Sequence, residues 1–199
     1  MQLGKPHHEQ SVTFVTNTCD CVGLKKTEVN NKGASMSDSA EKHPHGIMRR
    51  KDREITDRTE IDAIILSANL MRIALVDGNM PFLVPVFYAF DGSALYFHSA
   101  QAGTKIEILK HNNNVCFEIS IDNDFIKSDE PCDFEAKHRT VIGVGKGVFI
   151  EDEAEKIKAL DLIVAHFSEK KFEYPKSNLE RTAVIRIDIE SIKGKKHGF

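Results

Sequence analysis

The sequence predicts an α+β chain, mainly antiparallel β, in which six or seven strands curl into a small closed barrel flanked by about three helices. Three observations carry this. Runs rich in Val, Ile, Phe and Tyr alternate with tight, Gly-containing turns. Strands joined by such turns pair antiparallel. The strands are long relative to the helices, and glycines fall inside them where a barrel must bend.

The elements follow in order. Residues 1–47 are rich in Asn, Ser, Thr, Lys and Gly, with short apolar runs such as 11–15. Five lysines balance five acidic residues there, so this stretch reads as a flexible arm, with a compact domain over 48–199. Asp57-Arg-Thr-Glu60 has the form of a capping box, and Ile61, Ile64, Ile65 and Ala68 follow at helical spacing. That helix ends near Asn69. Strands are expected over 71–76 and 81–90, joined by Asp77-Gly78-Asn79. Pro85 cannot donate to a ladder, so the second of these lies at an edge, at a bulge or beside something other than a strand.

Asp91-Gly92-Ser93 turns the chain into a strand over 94–98, and 99–111 reads as a loop and a short helix with Ile106 and Leu109 inward. A buried strand fits 115–121, followed by a polar loop over 122–131. Two more strands fit 133–137 and 140–150. Asp152-Glu-Ala-Glu155 starts a helix whose apolar face is Ile157, Leu160, Val164 and Phe167. The last strand covers 183–192, with Ile185, Ile187 and Ile189 on one face.

Composition limits the function classes. A chain of 199 residues with 41% hydrophobic and 29% charged residues is neither wholly disordered nor fibrous. No apolar stretch approaches the roughly 18–20 residues that cross a bilayer. The first residues lack the apolar core of a secretory signal. A net charge of −3 and a pI near 6.3 argue against nucleic acid as a partner. The expectation is a cytoplasmic protein with neither a membrane nor a nucleic-acid partner. Among four cysteines, Cys116 reads as a packed apolar residue, and Cys19-Asp-Cys21 lacks a second pair at zinc-finger spacing, so no metal is expected. His43 and His45 in the arm read as solvated rather than ligating.

One local pattern suggests chemistry. A strand ends in His98-Ser99 and a helix starts near Gly103, followed by Thr104 and Lys105. Helix starts leave amides unpaired and favour an anion, and two hydroxyls and an ammonium add donors. The pattern fits a phosphate site as well as it fits an ordinary capped helix. Gly143-Val-Gly-Lys-Gly147 lacks both the spacing and the Ser/Thr of a phosphate loop. Within a strand, such glycines let the barrel bend or another chain approach.

The segments Leu83-Val-Pro-Val-Phe-Tyr-Ala-Phe-Asp-Gly, Leu95-Tyr-Phe-His-Ser-Ala, Gly103-Thr-Lys-Ile-Glu-Ile-Leu and Val115-Cys-Phe-Glu occur in that order. Together with Met48-Arg-Arg-Lys-Asp-Arg-Glu-Ile, Arg139-Thr-Val-Ile-Gly-Val-Gly-Lys-Gly and Ile187-Asp-Ile-Glu-Ser-Ile-Lys-Gly-Lys, they resemble the nitroimidazole-resistance (Nim) family. That family belongs to the pyridoxamine 5'-phosphate-oxidase-like FMN-binding split barrels. The resemblance spans roughly residues 48–196 and implies a homodimer with FMN at the subunit interface. It places the FMN phosphate at His98, Ser99, Thr104 and Lys105. It runs the strand carrying Val84, Pro85, Val86 and Tyr88 along the flavin ring, with backbone groups at the ring's polar edge. His98 matches the histidine such proteins keep near the flavin, so the resemblance makes it the candidate catalytic residue: a proton donor, a substrate contact or only a phosphate ligand. Leu83 and Tyr88 stand where true pyridoxamine-phosphate oxidases carry arginine and lysine, which argues against that activity. The implied function is an FMN-dependent, nitroreductase-like oxidoreductase acting on a small molecule. The alternative is a flavin- or haem-binding module or redox sensor without turnover. No nicotinamide fingerprint names the reductant.

Overall fold

The computed structural model describes residues 45–199, so the arm lies almost wholly outside the described residues, as do Cys19, Cys21 and His43. Eight strands form one antiparallel sheet: β1 (Glu54–Ile55), β2 (Leu70–Asp77), β3 (Met80–Phe87), β4 (Ala89–Phe90), β5 (Ala94–Ala100), β6 (Asn114–Ile126), β7 (Glu135–Phe149) and β8 (Thr182–His197). Their order is β3-β2-β6-β7-β8-β5-β4, with β1 paired to β8. The sheet curls until β3 lies against β5, but no ladder joins them. The barrel is therefore split, not closed, and the split leaves one edge of β3 without a strand partner among the described residues. That edge position is why Pro85 is tolerated opposite Arg72.

Helix α1 (Arg58–Ser67) starts at Asp57, whose carboxylate accepts from the Thr59 amide at 2.9 Å. Glu60 does not close a capping box; it accepts from Lys196 Nζ at 2.8 Å, tying α1 to the end of β8. Ile61, Ile64 and Ile65 are buried among Met71, Ile73, Leu75, Phe97, Phe117, Ile119, Ile185 and Ile187, which form the barrel core. Each such side chain contributes on the order of 1.5–3 kcal/mol by leaving water. Helix α3 (Glu153–Ala165) is capped by Asp152, which accepts from the Glu155 amide at 2.9 Å. It covers the other face of β5 and β8 through a second core of Ile150, Ala159, Leu160, Leu179 and Val184.

Several expectations are corrected. The strand expected over 81–90 breaks at Tyr88 into β3 and β4. The polar stretch after Ile121 is not a loop: β6 continues to Ile126 and pairs with β7 as far as Glu135. Strands expected over 133–137 and 140–150 are one strand, β7. A bulge at Asp122, whose φ is 57°, carries β6 past the polar residues. Phe167 lies beyond the end of α3 and is exposed. The short helix α4 (Lys176–Arg181) has no apolar periodicity beyond buried Leu179 and was not expected.

The glycines of β7 are structural. Gly145 faces Ile189, and a Cβ there would sit 2.2 Å from the Asp188 carbonyl oxygen. At this point β8 bulges: Val144 pairs with Ser191 but Gly145 with Ile189, so Glu190 is the extra residue. Ile185, Ile187 and Ile189 face inward before the bulge, and Ile192 and Gly194 after it.

Candidate functional site

The site grows from the β5–α2 connection. β5 pairs with β8 so that His98 faces Val184 and Ser99 faces Ala183. The chain then turns through Gln101, whose side-chain amide donates to the Glu180 and Thr182 carbonyls at 3.3 and 3.2 Å. Gly103, at φ 122°, starts helix α2 (Thr104–His111) with no side-chain cap. Its carbonyl accepts from the Ile106 and Glu107 amides at 2.9 and 3.1 Å. The Thr104 and Lys105 amides find no backbone acceptor among the described residues. Ile106, Ile108 and Leu109 bury the inner face of α2, which holds its first turn in place.

His98, Ser99, Thr104 and Lys105 therefore lie along the end of β5 and the helix start that follows it, with His98 and Ser99 facing opposite sides of the sheet. Ser99 and Lys105 are half-buried, and Thr104 and His98 are exposed by area. Enough protein surrounds the imidazole that burial, and then the charge of Lys105, push His98 below its ordinary value. Both influences favour the neutral ring over the imidazolium. Glu107, the acidic residue of this helical turn, is engaged by Lys110 at 3.1 Å.

β3 supplies the second part. Its outward face carries Leu83, 64% exposed, Pro85 and Phe87, 54% exposed. Val84 and Val86 point inward and pack on the core. Tyr88 is fully buried, and its hydroxyl donates to the Ile65 carbonyl at the end of α1. Burial raises its phenol well above the usual range. Of the four β3-segment residues expected at a cofactor, only Pro85 thus presents its side chain outward; the others can offer backbone alone. Phe167 meets Phe87 edge-on at 5.1 Å and was not anticipated as a neighbour. Across β2, Leu70 and Val76 lie on the same face, with Arg72, held by Glu118 at 3.1 Å, between them. Its only sequence signal is the apolar run itself, since facing depends on register.

The family model for pyridoxamine 5'-phosphate oxidase matches residues 57–196. The chain belongs to this family. Solved structures place it within the family's breadth. A proposed 5-nitroimidazole antibiotic resistance protein from Bacteroides thetaiotaomicron is 31% identical, with a TM-score of 0.65, covering 71% of this chain and 85% of that one. A flavocytochrome from Azotobacter vinelandii is 23% identical, with a TM-score of 0.70 over 77% of this chain and 73% of its own. A FAD- and haem-binding protein from Mycobacterium smegmatis is 17% identical, with a TM-score of 0.68 over 74% of this chain and 75% of its own. The last two establish the fold alone. An uncharacterised protein of Rhizobium meliloti is 30% identical over 66 residues, 33% of this chain and 43% of that protein, so the match spans less than half of that relative's length. Like its family, the chain is a mostly antiparallel split barrel. Among the described residues no helix is long and apolar enough to cross a membrane, and no group of His, Cys, Asp or Glu is arranged to hold a metal ion.

Proposed function

We propose that this protein binds FMN between two copies of itself and passes two electrons to a small acceptor, with nitroaromatic compounds as the favoured class. The observation that carries the reading is the placement of a donor-rich strand end and helix start beside an unpaired strand edge. Ser99 and Thr104 hydroxyls, the Lys105 ammonium and the free amides of α2 suit a dianionic phosphate. The open edge of β3 offers backbone donors and acceptors to a flat heterocycle, as the break at Tyr88 turns the chain toward β5. The relative at 31% identity supports the acceptor class.

A bound flavin supplies the redox chemistry. The chain would bind and orient it, with His98 as the group that shares or transfers a proton. Because burial, and then the charge of Lys105, favour the neutral imidazole, it would act as a hydrogen-bonding group rather than a fixed charge. The apolar outer face of β2 and β3, larger than a lone surface residue requires, suits a second copy that closes the site.

The test is light scattering on the purified chain, its absorption spectrum, and the mass of the chromophore released on denaturation. A yellow dimer releasing FMN, and reducing a nitroaromatic when supplied with a reductant, is the expected result. A monomer that takes up no flavin on titration, or a Soret band from bound haem, would refute the reading.

A further inference from the structure

The link between β5 and α2 is held at one point along its length. β5 ends at Ala100, opposite Thr182, and α2 begins at Thr104. The three residues between them, Gln101, Ala102 and Gly103, are exposed. No backbone hydrogen bond ties Gln101 or Ala102 to another element among the described residues. Gly103, at φ 122°, has nothing within 4 Å of where a Cβ would stand, so neither packing nor a side-chain cap fixes it. Left alone, such a stretch samples many conformations, and fixing one of them costs entropy.

Gln101 supplies the restraint. Its Nε2 carries two hydrogens, and it donates to the Glu180 carbonyl at 3.3 Å and the Thr182 carbonyl at 3.2 Å. Glu180 lies in the last turn of α4, where helical carbonyls run out of amide partners. The anchor itself is firm. Thr182 Oγ1 donates to the Asn178 carbonyl at 2.8 Å and Arg181 Nε to the Ser177 carbonyl at 3.0 Å. Buried Leu179 seats α4 in the second core. On the far side of the link, buried Ile106 fixes the first turn of α2. Gln101 is the one side chain of the link able to cross to another element, because its neighbours are alanine and glycine. Asparagine would fall a methylene short, and glutamate would set a carboxylate against two carbonyl oxygens.

We infer that Gln101 is a positioning residue for the anion site proposed above. Both of its donors are engaged by protein carbonyls, so it holds the link rather than the ligand. With the link fixed, the Thr104 and Lys105 amides and the Lys105 ammonium meet a phosphate already aligned, and binding loses less in ordering them. If Gln101 merely finished the end of α4, its loss would weaken the fold without touching the preference for a phosphate. The inference rests on the reading that the start of α2 receives the FMN phosphate.

The full chain, Gln101→Leu and Gln101→Asn are titrated calorimetrically with FMN and with riboflavin, and backbone ¹⁵N order parameters are measured without ligand. Gln101 is exposed, so neither variant opens a cavity, and urea unfolding verifies that both are folded. Both variants bind FMN about ten-fold more weakly and riboflavin within about two-fold of wild type, as loss of the two hydrogen bonds implies. Order parameters over 101–105 fall from about 0.85 to below about 0.6. A link that stays rigid in both variants, riboflavin lost alongside FMN, or an unchanged FMN affinity overturns the positioning role alone. A wild-type chain with no preference for FMN over riboflavin overturns the phosphate reading, and this inference with it.

Discussion

Replacing Gly145 with alanine tests why the glycines of β7 are there. The added Cβ would lie 2.2 Å from the Asp188 carbonyl oxygen and 3.0 Å from the Asp188 carbonyl carbon. Real Cβ atoms keep at least about 3.0 Å from such neighbours, so roughly 0.8 Å of movement is required. The obstacle is backbone in a paired strand and cannot rotate away. Overpacking of this kind costs about 1–3 kcal/mol, and a rigid neighbour places Gly145→Ala at the upper end. For a chain of this size that lowers Tm by roughly 6–12 °C. Gly147→Ala is the internal control: its nearest contact is Leu109 Cδ2 at 2.9 Å, the tip of a movable side chain. It should cost no more than about 1 kcal/mol. Urea and thermal unfolding of both variants decide the matter. Equal effects at the two positions, or none at Gly145, would refute the packing account and return the glycine run to a ligand-binding role.

Two further outcomes are expected. Lys105→Ala weakens FMN by about ten- to a hundred-fold, as a charge-assisted contact implies, and leaves riboflavin nearly unchanged; equal loss of both ligands in a calorimetric titration would remove Lys105 from the phosphate. At Asp91, burial opposes ionisation, but the Ala94 and Ser93 amides and the Tyr96 hydroxyl outweigh it and pull the carboxyl down to about 2 from its ordinary 3.8. The depressed value makes its contribution full above about pH 4 and lost as pH falls through 2. Screening at this exposed site holds that contribution to about 1 kcal/mol. Wild-type and Asp91→Asn stabilities should therefore converge between pH 5 and pH 2 in denaturant titrations, and a constant gap would contradict this.

The split barrel was legible because its core strands are strongly patterned: Met71, Ile73 and Leu75 alternate, as do Ile185 and Ile187. The phosphate-site candidates were legible because residues 98–105 are contiguous in sequence. The β6–β7 extension was not, since Asp124-Phe-Ile and Glu135-Ala-Lys pair as an exposed hairpin with no buried face to impose alternation. Glu60 looked like a capping partner because local spacing cannot foresee Lys196, 136 residues away. The meeting of β3 with β5 depends on how the sheet curls.

The extra residue in β8 makes strand length and facing inseparable. Glu190 acts as a phase switch: odd-numbered positions point inward before it and even-numbered ones after it. Running β8 through this point at unchanged length without the bulge would invert the parity of every residue after it. Ile192 would swing to solvent and Lys193 and Lys195 toward the interior. Gly194 marks how little that interior could accept them: even a methyl there would lie 2.8 Å from Ile55 Cβ and 3.0 Å from Ile61 Cγ1. A related chain without the extra residue keeps the same facing on a regular strand, whereas one residue gained or lost elsewhere in β8 needs a compensating bulge to keep Ile185 and Ile187 on one side of it, and Ile192 and Gly194 on the other, toward the core.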